Sequence, residues 1–175
     1  MANSVKGLML TLFVRYLRKN YSPEDMQKLE QECGGTNFSA FKNYPMEEEA
    51  RFFGCAVRVF YPKDSDKGYR EFGRVSLKIY ADSYLGKTFF TLFNLDLKKA
   101  ALSADKILRS LTYNVNLKVI DTGGNSFKII VKDLPYPLSY YTGVWEEALD
   151  YFKKKGTVIA KKISPTEFEY LISWE

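Results

Sequence analysis

A chain of 175 residues, 46% apolar and 27% charged, has the composition of one globular domain, and folding at that length buries roughly 70% of the unfolded surface. It has no histidine, which excludes Ser-His-Asp and Cys-His nucleophile systems, His-containing zinc sites and a His-ligated haem. Carboxylate or lysine catalysis remains open, but no acid pair stands out, so the expectation is a non-enzyme that needs no metal or cofactor.

Cys33 and Cys55 are too far apart for a CxxC motif and read as two reduced, buried thiols. Thirteen Tyr and thirteen Phe suit a large core, a ligand cavity or a dimer face. No segment reaches the ~20 apolar residues of a membrane span. Gly7 to Val14 is followed at once by Arg15, Arg18 and Lys19, so a cytoplasmic protein is expected. The net charge of +5 is spread along the chain, and nucleic-acid binding is permitted rather than indicated.

The first elements read as helices. Val5, Leu8, Met9, Leu12, Phe13 and Tyr16 recur at helical spacing. Ser22-Pro23-Glu24-Asp25 supplies an N-cap, a proline at the first helical position and first-turn acids, and Gly34-Gly35 ends that helix. Pro45 opens a third helix, with Phe53, Ala56, Val57 and Phe60 on one face. Its glutamates Glu47, Glu48 and Glu49 are explained by the positive helix end rather than by metal or acid–base work. Asp64-x-Asp66-x-Gly68 lacks the remaining ligands of a calcium loop and reads as a turn capping the helix from about Gly68 to Asp82. Tyr84 to Leu95 and Leu97 to Leu111 read as two further helices.

From Tyr113 the apolar period becomes two. Tyr113 to Val119, the Asp121-Thr122-Gly123-Gly124-Asn125 turn, and Phe127 to Val131 predict a hairpin. A helix follows Pro135 and Pro137, with Tyr141, Val144, Trp145, Ala148, Leu149 and Phe152 on one face, Lys153 to Lys155 in its last turn and Gly156 as its left-handed cap. Thr157 to Ile163 and Phe168 to Trp174 predict a second hairpin around Ser164-Pro165-Thr166. The predicted architecture is a single α+β domain over residues 1–175: an N-terminal helical block (about 1–111) on a C-terminal antiparallel ββαββ sheet unit (about 112–175).

Ala81 to Thr88 fits a permissive P-loop pattern, which makes Gly86, Lys87 and Thr88 the nucleotide-binding alternative. Tyr84 and Leu85 crowd the place where backbone would meet phosphate, and the C-terminal strands read as antiparallel. Gly86 to Thr88 are therefore expected in a helix or at a helix junction.

With these elements placed, the chain resembles a family of small proteins of unknown function best represented in myxobacteria. The likeness lies in Val5-Lys6-Gly7, Phe72-Gly73-Arg74, Tyr84-Leu85-Gly86-Lys87, Tyr141-Thr142-Gly143-Val144 before Glu147, and Trp174-Glu175. That family is similar in turn to a superfamily of haem nitric-oxide sensors, vinyl-reductase-like domains and TRAPP vesicle-tethering subunits. The resemblance implies sensing, apolar-ligand binding and dimerisation rather than chemistry. The chain departs from the haem branch, having neither histidine nor a Tyr-x-Ser-x-Arg propionate clamp. Some TRAPP-type relatives hold an acyl chain on a buried cysteine, a role for which Cys55 is the candidate here.

The expected function is a non-catalytic regulatory or scaffold domain, or a small apolar-ligand-binding domain, acting as a homodimer. Tyr69, Phe72, Ile79, Phe89, Phe90 and Phe93 are the candidate interface residues. The alternatives are the nucleotide-binding protein above and a basic nucleic-acid-associated adaptor.

Overall fold

The computed structural model describes residues 4–92, 96–103, 112–113 and 116–175. Strand β1 (Ser4–Lys6) runs directly into helix α1 (Gly7–Asn20). Its buried side chains are Leu10, Phe13, Val14 and Leu17. The face predicted from Leu8, Met9 and Leu12 is thus rotated, because apolar residues occupy both sides of this helix and only the packing chooses between them.

Helix α2 (Pro23–Cys33) starts and stops where its sequence signals lie. The Ser22 side chain accepts from the Asp25 N–H, and Gly34 closes the helix at φ 74°. Strand β2 (Asn43–Pro45) precedes α3 (Met46–Phe60), which buries Phe52, Phe53, Cys55, Ala56 and Val57. Asp64 caps α4 (Ser65–Asp82) by accepting from the Lys67 N–H, so the expected turn is real, although the helix begins before Gly68. Helices α5 (Tyr84–Leu92) and α6 (Leu97–Leu102) complete the helical block, and the remainder of the predicted helix to Leu111 lies outside the described residues.

Strands β3 (Thr112–Tyr113) and β4 (Asn116–Asp121) were expected as one strand but belong to different sheets. β3 joins β1 and β2 in a small sheet of order β2-β1-β3, while β4 edges a four-stranded antiparallel sheet. The other strands of that sheet are β5 (Ser126–Lys132), β6 (Gly156–Ser164) and β7 (Glu167–Trp174), in the order β4-β5-β7-β6. Phe127, Ile129 and Val131 of β5 and Phe168, Tyr170 and Ile172 of β7 fill one face. Lys128 and Lys132 pair with Glu169 and Glu167 on the other, each at 3.1 Å.

Helix α7 (Leu138–Tyr151) connects β5 to β6. The left-handed position after it is Lys153 (φ 53°), not Gly156. Gly156 instead opens β6, where a Cβ would come 2.3 Å from the Ser173 carbonyl oxygen.

Candidate functional site

The helical block and the sheet unit are joined by α4 crossing α7, and two glycines set that crossing. A Cβ on Gly73 would lie 1.9 Å from the Tyr140 carbonyl oxygen, and one on Gly143 would lie 1.8 Å from that of Arg70. The helices therefore touch backbone to backbone, closer than any side chain allows. Along the exposed flank Arg70 bonds to Glu146, and Arg74 reaches Glu146 at 3.0 Å and Asp150 at 2.9 Å.

Farther along the same helices the gap opens into an apolar cavity of about 90 Å³. Leu77 and Tyr80 come from α4, and Tyr141, Val144 and Trp145 from α7. Phe90 of α5, Leu97, Ala100 and Ala101 of α6, and Leu117 of β4 close it. The backbone contact at Gly73 and Gly143 fixes how far apart these lining side chains stand. Among the described residues, one buried side-chain nitrogen or oxygen lacks a hydrogen-bond partner, the indole N–H of Trp145. Leaving such a donor unsatisfied costs ~1–3 kcal/mol.

A second polar cluster lies where α3 meets the start of α7. Glu49 is only 9% exposed and accepts a hydrogen bond from the Tyr136 hydroxyl. Burial raises its carboxyl to about 7, against a smaller lowering by that hydrogen bond. Tyr136 stacks on Tyr140 at 4.8 Å, and Tyr140 meets Tyr141 edge-on at 5.2 Å. Burial holds all three phenols above their ordinary value. The expectation that helix-end electrostatics suffice to explain Glu47 to Glu49 thus needs correcting for Glu49, which is buried in the core. Its partner Tyr136 lies 87 residues away in sequence, and no local pattern announces the pair.

The predicted site residues disperse. Cys55 sits on α3 facing α2 and does not line the cavity. Phe72, at 0% exposure, and Phe90, at 5%, are core residues of a single chain. Tyr69, Ile79 and Phe89 are half-buried against the core, and Phe93 lies outside the described residues. Gly86, Lys87 and Thr88 are helical, within α5. Gly86 is a packing residue: its Cβ would lie 2.0 Å from the Tyr80 carbonyl oxygen. Lys87 is exposed, and Lys87→Ala is expected to leave thermal stability unchanged and to reveal no ATP or GTP affinity for the variant to lose, as measured by melting and nucleotide titration.

No curated protein matches the chain at a significant level. Solved structures do. The Fe(II) unliganded H-NOX protein from K. algicida superposes with a TM-score of 0.76 at 16% identity, covering 97% of this chain and 96% of that one. A mutant of the T. tengcongensis H-NOX gives 0.74 at 15% identity, with 97% of both chains covered. A structure probing heme distortion in the H-NOX family gives 0.79 at 14% identity, covering 97% and 95%. The shared property is the fold. The chain has no histidine to hold a haem iron, and its apolar cavity measures about 90 Å³. Gly7, Gly73, Gly86 and Gly143, each within a motif of the family resemblance, are among the points where this fold brings backbone against backbone. The match runs over residues 2–175, and the chain belongs to the family described as protein of unknown function (DUF2378), built on the H-NOX fold.

Proposed function

We propose that this domain is a non-catalytic, cytoplasmic regulatory module that binds a small apolar molecule directly between α4, α6 and α7 and acts as a homodimer. The observation that carries the reading is the apolar cavity at the junction of the helical block and the sheet unit. Such a cavity, about three times the ~30 Å³ share of one liquid water, stays dry when apolar and takes apolar guests.

A ligand bridging α4 and α7 touches both parts of the fold, the arrangement a sensor needs to convert occupancy into a shift between two conformations. Exposed Phe41, Tyr84 and Leu85, together with Ile159 and Ile163 on the edge strand β6, are the apolar side chains that support pairing of two copies. Sedimentation at tens of micromolar should give a dimer, and a monomer there would overturn that part of the reading.

Reconstitution with hemin should leave the spectrum of free hemin. A sharp Soret band at one haem per chain would replace direct ligand binding with haem-based sensing.

A further inference from the structure

Cys33 ends α2 and Cys55 lies in the middle of α3, yet the fold brings their side chains into one crevice. The Cys55 thiol faces the Glu32 carbonyl oxygen at 3.8 Å, next in sequence to Cys33, and the Cys33 thiol faces the Phe52 carbonyl oxygen at 4.0 Å. Burial first, and then the neighbouring Cys55 thiol, raise Cys33 to about 12, so that thiol stays protonated at neutral pH. Cys55 sits in a different setting. The Arg58 guanidinium donates to its sulfur at 3.3 Å and also pairs with the Glu32 carboxylate at 3.6 Å. Tyr69 of α4 approaches the same spot, as does Arg51, which donates to the Cys33 carbonyl at 3.4 Å. Glu32 and Arg58, both in contact with the Cys55 sulfur, also line a groove on the protein surface, while Cys55 itself is buried. Immediately after Cys33, Gly34 and Gly35 adopt φ 74° and 122°, with open space around both. Cys33 itself is buried in the core, and the two glycines after it have room around them.

We propose that Cys33 and Cys55 form a reversible intramolecular disulfide in response to peroxide, with Cys55 as the attacking sulfur and Cys33 as the resolving one. The Cys55 sulfur, held at 3.3 Å by the Arg58 guanidinium, gives up its proton and attacks one peroxide oxygen. The O–O bond breaks, a sulfenic acid forms on Cys55, and the second oxygen leaves as water once protonated. The Cys33 sulfur then attacks the Cys55 sulfur. The S–S bond forms, the S–O bond breaks, and a second water carries away the hydroxyl and the Cys33 proton. Two thiols are oxidised to one disulfide while one hydrogen peroxide is reduced to two waters. The bridge would fasten α2, which is otherwise held by Met26, Leu29 and Cys33, onto the core helix α3.

The test treats the whole folded chain with hydrogen peroxide and measures intact mass, peptide linkage and melting temperature. The expected result is loss of two hydrogens, a Cys33–Cys55 linked peptide in a chain not cross-linked to another, a melting temperature several degrees higher, and full reversal by dithiothreitol. Two thiols that persist, a cross-link between chains, or mass gain from sulfinic acid would overturn the proposal. Cys33→Ser should trap a dimedone-reactive sulfenic acid on Cys55, whereas Cys55→Ser should leave Cys33 unreactive. Arg58→Gln should slow disulfide formation several-fold at unchanged melting temperature. Reaction at Cys33 in Cys55→Ser, or an unchanged rate in Arg58→Gln, would overturn the assignment of Cys55 as the attacking sulfur.

Discussion

Gly143→Ala is expected to cost about 3–5 kcal/mol, a large share of the roughly 5–15 kcal/mol by which a domain is usually stable. At an exposed helical position the same change gains about 1 kcal/mol, because alanine is the better helix former. The sign reverses here because the new methyl would stand 1.8 Å from the Arg70 carbonyl oxygen and 2.7 Å from its carbon, both backbone atoms that no rotamer change can move. Relief requires α4 and α7 to separate, which loosens the packing of Phe72, Tyr140, Tyr141 and Trp145 and strains the Arg70 and Arg74 pairs with Glu146. Gly73→Ala meets the Tyr140 carbonyl oxygen at 1.9 Å and should behave alike. Gly54→Ala is the control: its methyl would meet only the tips of Tyr69 (3.2 Å) and Arg58 (3.8 Å), which can move aside, so a change within about 1 kcal/mol is expected. Urea denaturation of the three variants measures this, and a Gly143→Ala protein as stable as the parent would refute the backbone crossing.

Glu49→Gln is expected to remove about 3 kcal/mol of pH dependence from folding. The folded protein raises this carboxyl from 4.5 to about 7, so folding favours its protonated form. Below about pH 4.5 the burial carries no penalty. Between there and pH 7 the unfolded chain ionises first, and the folded state loses about 3 kcal/mol, a loss that is complete above pH 7. The stability difference between parent and Gln variant should therefore move in favour of the variant by that amount from pH 4.5 to pH 8. A difference that does not vary with pH would show that Glu49 is solvated. Tyr136→Phe removes the hydrogen bond that holds the carboxyl down, and should move the transition to higher pH.

The elements legible in the sequence were those with local causes. Ser22, Pro23 and Gly34 bound α2 through their own side-chain and backbone chemistry, and Asp64 caps α4 in the same way. The alternation of Phe127, Ile129 and Val131, and of Phe168, Tyr170 and Ile172, announced which face of the sheet is buried. What stayed hidden was made by distant residues. The small sheet pairs Ser4 with Pro45 on one side and with Tyr113 on the other, in strands of two or three residues too short to show a period. Lys153 takes the left-handed position that Gly156 seemed made for, because Gly156 is needed where β6 passes Ser173. Phe72 looked as suited to an interface as to a core, and only the arrival of Phe13, Phe53 and Tyr61 around it decides for the core. An apolar-ligand-binding domain was expected, but not which residues line its cavity. Cys55 was the pocket candidate and faces Cys33 instead, while Trp145, expected only as part of an amphipathic face, lines the space.

The most direct measurement of the central claim is a crystal structure of the protein under xenon pressure, because xenon enters small dry apolar cavities without needing any polar contact. A single strong xenon peak between Leu77, Val144 and Trp145 is expected, absent in Ala100→Leu, whose larger side chain fills the same space while the helices keep their positions. No peak in the parent protein, or a porphyrin found lying between α4 and α7, would contradict direct binding of a small apolar ligand.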